Sequence, residues 1–80
     1  MNAIEDQAKD SRDVEITREP VELYKILKFE GLVASGGEAK NVIANGQVRV
    51  NGETEHRKRR KIVSGDTIEF GDTTIRIKHC

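Results

Sequence analysis

The chain has 80 residues, 35% apolar and 35% charged, and its 14 Lys and Arg balance 14 Asp and Glu to a formal net charge of zero. A domain near this size buries only about 60% of the surface that it exposes when unfolded, which leaves little room for an enclosed catalytic cavity. Without a signal peptide, a stretch of roughly 20 apolar residues or a second cysteine beside Cys80, the sequence predicts a cytoplasmic protein with no membrane contact.

The N-terminal residues are polar and lack any apolar period, whereas apolar residues recur regularly from Val14 onward. This change predicts a flexible acidic tail over residues 1–12 and a single folded domain over residues 13–80. Val14 and Ile16 alternate with charged neighbours, which indicates a brief strand at the start of the domain.

Two helices follow. Pro20 suits the first turn of a helix, Leu23, Ile26 and Leu27 recur at the spacing of one helical face, and Gly31 is a typical stop signal. The short connection over residues 32–34 then predicts an αα-hairpin of two helices of about 10 residues each.

The second helix begins with a capping box. Ser35-Gly36-Gly37-Glu38 places a hydroxyl and a carboxylate where each can accept from a backbone N–H of the first turn. Ala39, Val42 and Ile43 then define the buried face of the helix, and Asn45-Gly46 ends it.

Beyond Gly46 the apolar period changes from helical to two, which predicts strands. Asn51-Gly52 is a strong signal for a tight hairpin, and a second hairpin is predicted around Gly71-Asp72. Ile62-Val63 between them is predicted to enter the core, as are Phe29 and Phe70. The predicted fold class is α+β, with the two-helix hairpin packed on a small antiparallel sheet.

The positive charge of the chain is concentrated. Residues 40–62 hold seven basic residues and two acidic ones, including five consecutive cations at 57–61, whereas residues 1–20 hold six acidic and three basic residues. Phosphate attraction depends on the local field, so this asymmetry favours a polyanionic partner despite the zero net charge. A solvated loop without a partner is the plain alternative.

The block from Ala34 to Lys40, the block Ile43-Ala44-Asn45-Gly46-Gln47-Val48-Arg49-Val50-Asn51-Gly52 and the later Gly65-Asp66-Thr67-Ile68 together resemble a known pattern. It is similar to the RNA-binding domain named after bacterial ribosomal protein S-four, also called the alpha-L motif, and within it to the small stand-alone YbcJ-like bacterial proteins. The resemblance covers roughly residues 20–70.

The resemblance implies a non-catalytic protein that binds structured RNA mainly through the phosphate backbone and shape, as an accessory in ribosomal or transfer RNA metabolism and in contact with the ribosome or an RNA-processing complex. Glu22 and Gly36 stand where many relatives carry arginine, so we expect the basic run to supply that charge. The predicted RNA-binding residues are Ser35, Gly36, Gly37, Lys40, Arg49, Arg57, Lys58, Arg59, Arg60 and Lys61.

Two other functions remain open from the residues. A protein-interaction adaptor would use the basic run to dock an acidic partner, and a small nuclease would need a nucleophile with a base, or a cluster of metal ligands. The sequence contains neither arrangement, so we predict no enzyme activity, no catalytic residue, no metal and no cofactor. Charged flanks on the predicted strands favour a monomer.

Overall fold

The computed structural model describes residues 10–79. In chain order its elements are β1 (Asp10–Ile16), β2 (Val21–Glu22), α1 (Leu23–Phe29), α2 (Gly36–Ala44), β3 (Val48–Val50), β4 (Glu53–Thr54), β5 (Lys61–Ile62), β6 (Thr67–Phe70) and β7 (Thr73–His79). No helix within residues 10–79 is long and apolar enough to cross a membrane.

The strands form a five-stranded sheet in the order β1-β7-β6-β3-β4 and a separate ladder of β2 with β5. The predicted α+β class is confirmed, but the main sheet is mixed rather than purely antiparallel. β1 pairs in parallel with β7, from Asp10 opposite Thr73 to Ile16 opposite His79. A parallel pair needs a long crossover connection, and both helices and the other strands lie between β1 and β7 in the chain.

The domain begins earlier than predicted. β1 starts at Asp10, so residues 10–12 belong to the sheet and not to a flexible tail; residues 1–9 of the predicted tail lie outside the described part of the chain. The polar Arg12 continues the alternation of Val14 and Ile16, and its guanidinium donates to the backbone carbonyl of Glu30 at 3.1 Å, at the end of α1. The alternation of apolar residues did not predict that Arg12 belongs to β1, because Arg12 is polar and contributes through a hydrogen bond to the C-terminal end of α1.

α1 begins at Leu23 and not at Pro20, because Val21 and Glu22 pair with β5 instead of continuing the helix. Its seven residues bury Leu23, Ile26 and Leu27, the face that the spacing predicted. The nine residues of α2 likewise bury Ala39 and Ile43 against it.

The core consists of the following buried residues from both helices and the sheet: Ile16, Leu23, Ile26, Leu27, Val33, Ala39, Ile43, Val48, Val50, Ile62, Ile68, Ile75 and Ile77. Phe70 packs partly buried against it, but two predicted core residues do not join: Phe29 is 69% exposed and Val63 is 39% exposed. Phe29 is the last residue of α1 and lines an open groove with Val21 and Ile26, where no other element within residues 10–79 covers it. Val63 follows the buried Ile62 in an extended segment, so it points away from the core.

Candidate nucleic-acid interface

The basic residues Arg57, Lys58, Arg59, Arg60 and Lys61, here called the basic loop, are held against the start of α1. The backbone N–H of Leu23 donates to the carbonyl of Arg60 at 2.9 Å, and that of Tyr24 donates to the carbonyl of Lys58 at 3.1 Å. These amides belong to the first turn, where no intrahelical acceptor is available. A helix terminus therefore fixes the backbone of the loop, which also turns through a hydrogen bond from Arg60 N–H to the Arg57 carbonyl at 3.1 Å.

A buried carboxylate organises two of the loop's arginines. Glu55, only 7% exposed, accepts from the backbone N–H and the Nε of Arg57, both at 2.9 Å, and from Arg60 Nη1 at 2.7 Å. Arg57 Nη2 adds a longer bond of 3.3 Å. Charge-assisted bonds of this kind are among the stronger protein hydrogen bonds, and they satisfy both oxygens of the buried acid.

The pKa of Glu55 is lowered from 4.5 to about 2, chiefly by the side-chain hydrogen bond from Arg57, with burial acting in the opposite direction. Because the folded-state pKa is depressed, the carboxylate stabilises the fold above its unfolded-state pKa, and this contribution declines as the pH falls toward 2. We expect the difference in unfolding free energy between the wild type and Glu55→Gln to shrink by about 2 kcal/mol between pH 7 and pH 3.

Urea denaturation of both proteins across this pH range measures the effect. Asp66→Asn serves as a comparison, since it removes another carboxylate that accepts backbone and side-chain hydrogen bonds but lies outside the basic loop. A pH-independent difference between wild type and Glu55→Gln would show that Glu55 does not interact preferentially with the arginines in its ionised form.

The ring of Tyr24 connects the loop to the second helix. Lys40 Nζ lies 4.8 Å from the ring centroid, and the guanidinium carbon of Arg59 lies 5.9 Å from it. Lys25 Nζ, at 6.0 Å, is a third cation near the same ring. Cation–π attraction at such distances is worth about 0.5–1 kcal/mol each at exposed sites. The aromatic ring therefore brings a cation of α2 and a cation of the basic loop onto one surface.

A shallow groove provides a second link between the basic loop and α2. Ala44, the last residue of α2, lines it together with His56 and residues 57–61. His56 packs toward Gly46, where a Cβ would lie 3.2 Å from its Nε2. Gly46 also has a φ of +79°, so a glycine is favoured there on both grounds.

The cations on this surface outnumber the acids. Lys40, Lys58 and Lys61 form no ion pair with another residue in the range 10–79, and Glu22 lies 3.7 Å from both Lys25 and Arg59. We call Lys40 and the five residues of the basic loop the basic patch. With Glu22 and Glu55 as its two nearby carboxylates, the basic patch keeps a net positive charge.

The predicted capping box is present, except that the Glu38 carboxylate bonds to the backbone N–H of the residue before Ser35 and not to that of Ser35 itself. Ser35 Oγ accepts from the backbone N–H of Glu38 at 3.1 Å, while the Glu38 carboxylate accepts from the N–H of Ala34 at 2.9 Å. A Cβ at Gly36 would lie 3.9 Å from the Tyr24 ring, an ordinary contact distance. Gly36 and Gly37 therefore lie at the helix start beside the basic patch, and no close packing requires a glycine at position 36.

Arg49 is not brought into the basic patch. It lies between the buried Val48 and Val50 and thus points to the opposite face of the sheet, with Glu69 as its cross-strand neighbour. That outer face carries three acidic and three basic side chains, namely Asp13, Glu15, Arg49, Glu69, Arg76 and Lys78. Its charge is balanced, unlike that of the basic patch.

Sequence reasoning missed the roles of Tyr24 and Glu55. The ring of Tyr24 connects the two positively charged elements, and Glu55 is buried although it follows an exposed strand. The one sequence signal that could have revealed the ion pair is the position of Glu55 two residues before Arg57, at the start of the cationic run. Within residues 10–79 no group of three or more His, Cys, Asp or Glu side chains is placed to hold a metal ion.

The sequence over most of this fold matches a known family. The S4 domain model matches residues 14–78, and the chain belongs to the S4 domain family. YbcJ of Escherichia coli (strain K12) is 49% identical over 57 residues, which are 71% of this chain and 81% of YbcJ. The "Probable ribosome maturation protein RlbA" of Bacillus subtilis (strain 168) is 36% identical over 57 residues, 71% of this chain and 80% of that protein.

Solved structures agree with this assignment. The solution structure of E. coli YbcJ, with its alpha-L motif, superposes with a TM-score of 0.64 at 42% identity and covers 82% of this chain and 85% of YbcJ. The 30S ribosomal protein S4e of Thermoplasma acidophilum gives a TM-score of 0.60 at 29% identity, over 72% of this chain and 31% of that protein.

Proposed function

We propose that this protein is a non-catalytic RNA-binding module that grips structured RNA through its phosphate backbone with the basic patch. One observation carries the proposal: Lys40 of α2 and Arg59 of the basic loop lie over the same Tyr24 ring, so the two positively charged elements form one surface. Ser35, Gly36 and Gly37 border that surface, and Arg49 is left out of the proposed interface.

The relatives support an RNA partner. The alpha-L motif of E. coli YbcJ is described as involved in RNA binding, and the name of the B. subtilis relative points to ribosome maturation. Both cover most of this chain. We therefore favour ribosomal RNA, or an assembling ribosomal particle, over transfer RNA as the partner.

Recognition through backbone and shape fits the surface better than the stacking of unpaired bases. Phe29 is exposed, but it lines a separate groove with residues of β1, and Tyr24 is half-buried beneath cations. Phosphate contacts fix register and orientation and carry little sequence information. The protein should consequently select the fold of an RNA more than its sequence.

We also propose that the protein acts as a monomer. β1 forms one edge of the main sheet, and the outward-facing Asp13 and Glu15 place charge along it. Charged side chains on an edge strand disfavour pairing with the sheet of another molecule.

A salt titration of RNA binding tests the proposal. If about five phosphates are neutralised, log affinity should fall against log salt with a slope of roughly −3.5 to −4.5. The probe is a ribosomal RNA hairpin, compared with an unstructured single strand of equal length. We expect tighter binding of the hairpin; a flat salt dependence, or equal affinity for the two RNAs, would contradict the proposed mode of binding.

A further inference from the structure

We propose that Glu55 is a positioning residue for RNA binding, one that raises affinity for the polyanion although it carries a negative charge itself. The inference rests on the proposed function and deepens it. A simple count of charges predicts the opposite, namely that any acid within a basic surface weakens the binding of RNA.

The exposure of the partners shows how one carboxylate can help. The side chain of Glu55 is 8% exposed, whereas that of Arg57 is 73% exposed. Glu55 therefore lies beneath the arginine, which shields it from a phosphate on the surface. Arg57 uses Nε, Nη2 and its backbone N–H toward Glu55, which leaves its Nη1 donors for an RNA oxygen.

Glu55 also links two arginines. Its Oε2 accepts from Arg57 and its Oε1 accepts from Arg60, whose side chain is 30% exposed. The bond to the backbone N–H of Arg57 ties this pair to the main chain of the loop. Two long cationic side chains thus have defined positions before RNA arrives, and less conformational freedom is lost on binding.

Glu22 is a natural comparison, since it lies near the same surface with a different geometry. Its carboxylate oxygens lie 3.7 Å from Lys25 Nζ and 3.7 Å from Arg59 Nη1, beyond hydrogen-bond distance, and its side chain is 26% exposed. Such a pair reduces the local positive field without fixing a side-chain position. Neutralising Glu22 and neutralising Glu55 should therefore change RNA affinity in opposite directions.

The experiment compares Glu55→Gln with Glu22→Gln, two variants with the same change in charge. Binding of the ribosomal RNA hairpin is measured at about 0.1 M salt, and circular dichroism checks the fold. We expect Glu22→Gln to bind about 2-fold tighter, because one repulsive charge is removed. Glu55→Gln should bind about 10-fold more weakly, because two arginines lose their fixed positions.

A double-mutant cycle separates positioning from a general effect on the fold. In an Arg57→Gln, Arg60→Gln background there is no guanidinium left for Glu55 to hold, so Glu55→Gln should no longer weaken binding. A loss of equal size in that background would overturn the proposal.

Glu55→Asp provides the test if Glu55→Gln does not fold. It keeps the charge but shortens the reach by one methylene, and we expect a several-fold loss of affinity at unchanged net charge. Affinity of Glu55→Gln or Glu55→Asp equal to or above that of the wild type would overturn the inference, while failure of the wild type itself to bind the hairpin would overturn the proposed function.

Discussion

The variant Lys58→Gln, Arg59→Gln, Lys61→Gln should bind the ribosomal RNA hairpin roughly 100- to 500-fold more weakly than the wild type at about 0.1 M monovalent salt. Each phosphate contact contributes about 0.7 to 0.9 to the slope of log affinity against log salt, so three lost contacts should make this slope shallower by about 2 to 3. Fluorescence anisotropy of labelled hairpin at several salt concentrations measures both quantities.

These three positions allow a clear test because their side chains are exposed and none bonds to Glu55. The hydrogen bonds that hold the loop to α1 are accepted by backbone carbonyls of the loop, which a glutamine substitution leaves in place. Surface substitutions away from buried networks usually change stability by less than about 0.5 kcal/mol. The loss of affinity can therefore be attributed to charge and not to unfolding.

The matched control removes three cations from the other face of the sheet. Arg49→Gln, Arg76→Gln, Lys78→Gln changes the net charge by the same amount but leaves the basic patch intact. We expect only a few-fold loss of affinity from the weaker long-range field. Equal losses in the two triple variants would mean that RNA senses the total charge of the protein, and the proposed interface would then be wrong.

The order of the secondary structure was largely predictable because burial follows local periods. Leu23, Ile26 and Leu27 repeat at helical spacing, and Ile75 and Ile77 repeat at strand spacing; all five are buried. The pairing of β1 with β7 was not predictable in the same way, because it joins segments about 60 residues apart and no local pattern encodes whether they run parallel. The start of β1 was also missed, since the role of Arg12 depends on the carbonyl of Glu30 at the end of α1.

The position of the basic surface was predictable, but its organisation was not. Five consecutive cations are visible in the sequence, and the structure places them beside α2. The hydrogen bonds by which Glu55 holds two arginines depend on its burial, which its polar neighbours in the sequence do not reveal. The exclusion of Arg49 follows from strand alternation, which the pattern Val48-Arg49-Val50 already contained. Charge clustering identifies a surface, whereas side-chain direction decides its members.

The β3–β4 hairpin and the turn before β6 are joined by Asn51. Its backbone N–H donates to the Thr67 carbonyl at 2.7 Å, its Oδ1 accepts from Thr67 N–H at 2.9 Å, and its Nδ2 donates to Asp66 at 3.0 Å. Asn51 adopts a φ of +54°, in the left-handed region. The whole basic loop lies between Asn51 and Asp66 in sequence, so these bonds close its base.

Asn51→Ala should lower the free energy of unfolding by about 3 kcal/mol: about 1 kcal/mol for each of the two side-chain hydrogen bonds, and about 1 kcal/mol for an alanine forced into the left-handed region. Asn51→Gly separates the two causes. Glycine tolerates the positive φ, so that variant should lose only about 2 kcal/mol.

Urea denaturation of the three proteins measures these differences, and hairpin RNA binding follows their consequence for the site. If the glycine and alanine variants are equally destabilised, the backbone conformation of Asn51 does not contribute to stability. If neither variant differs from the wild type by more than about 0.5 kcal/mol, the range expected of an ordinary surface position, the side-chain bridge is not what holds the base of the loop. Both variants should bind RNA more weakly than the wild type, because a looser base lets the loop's backbone depart from the start of α1 and thereby separates its cations from Lys40.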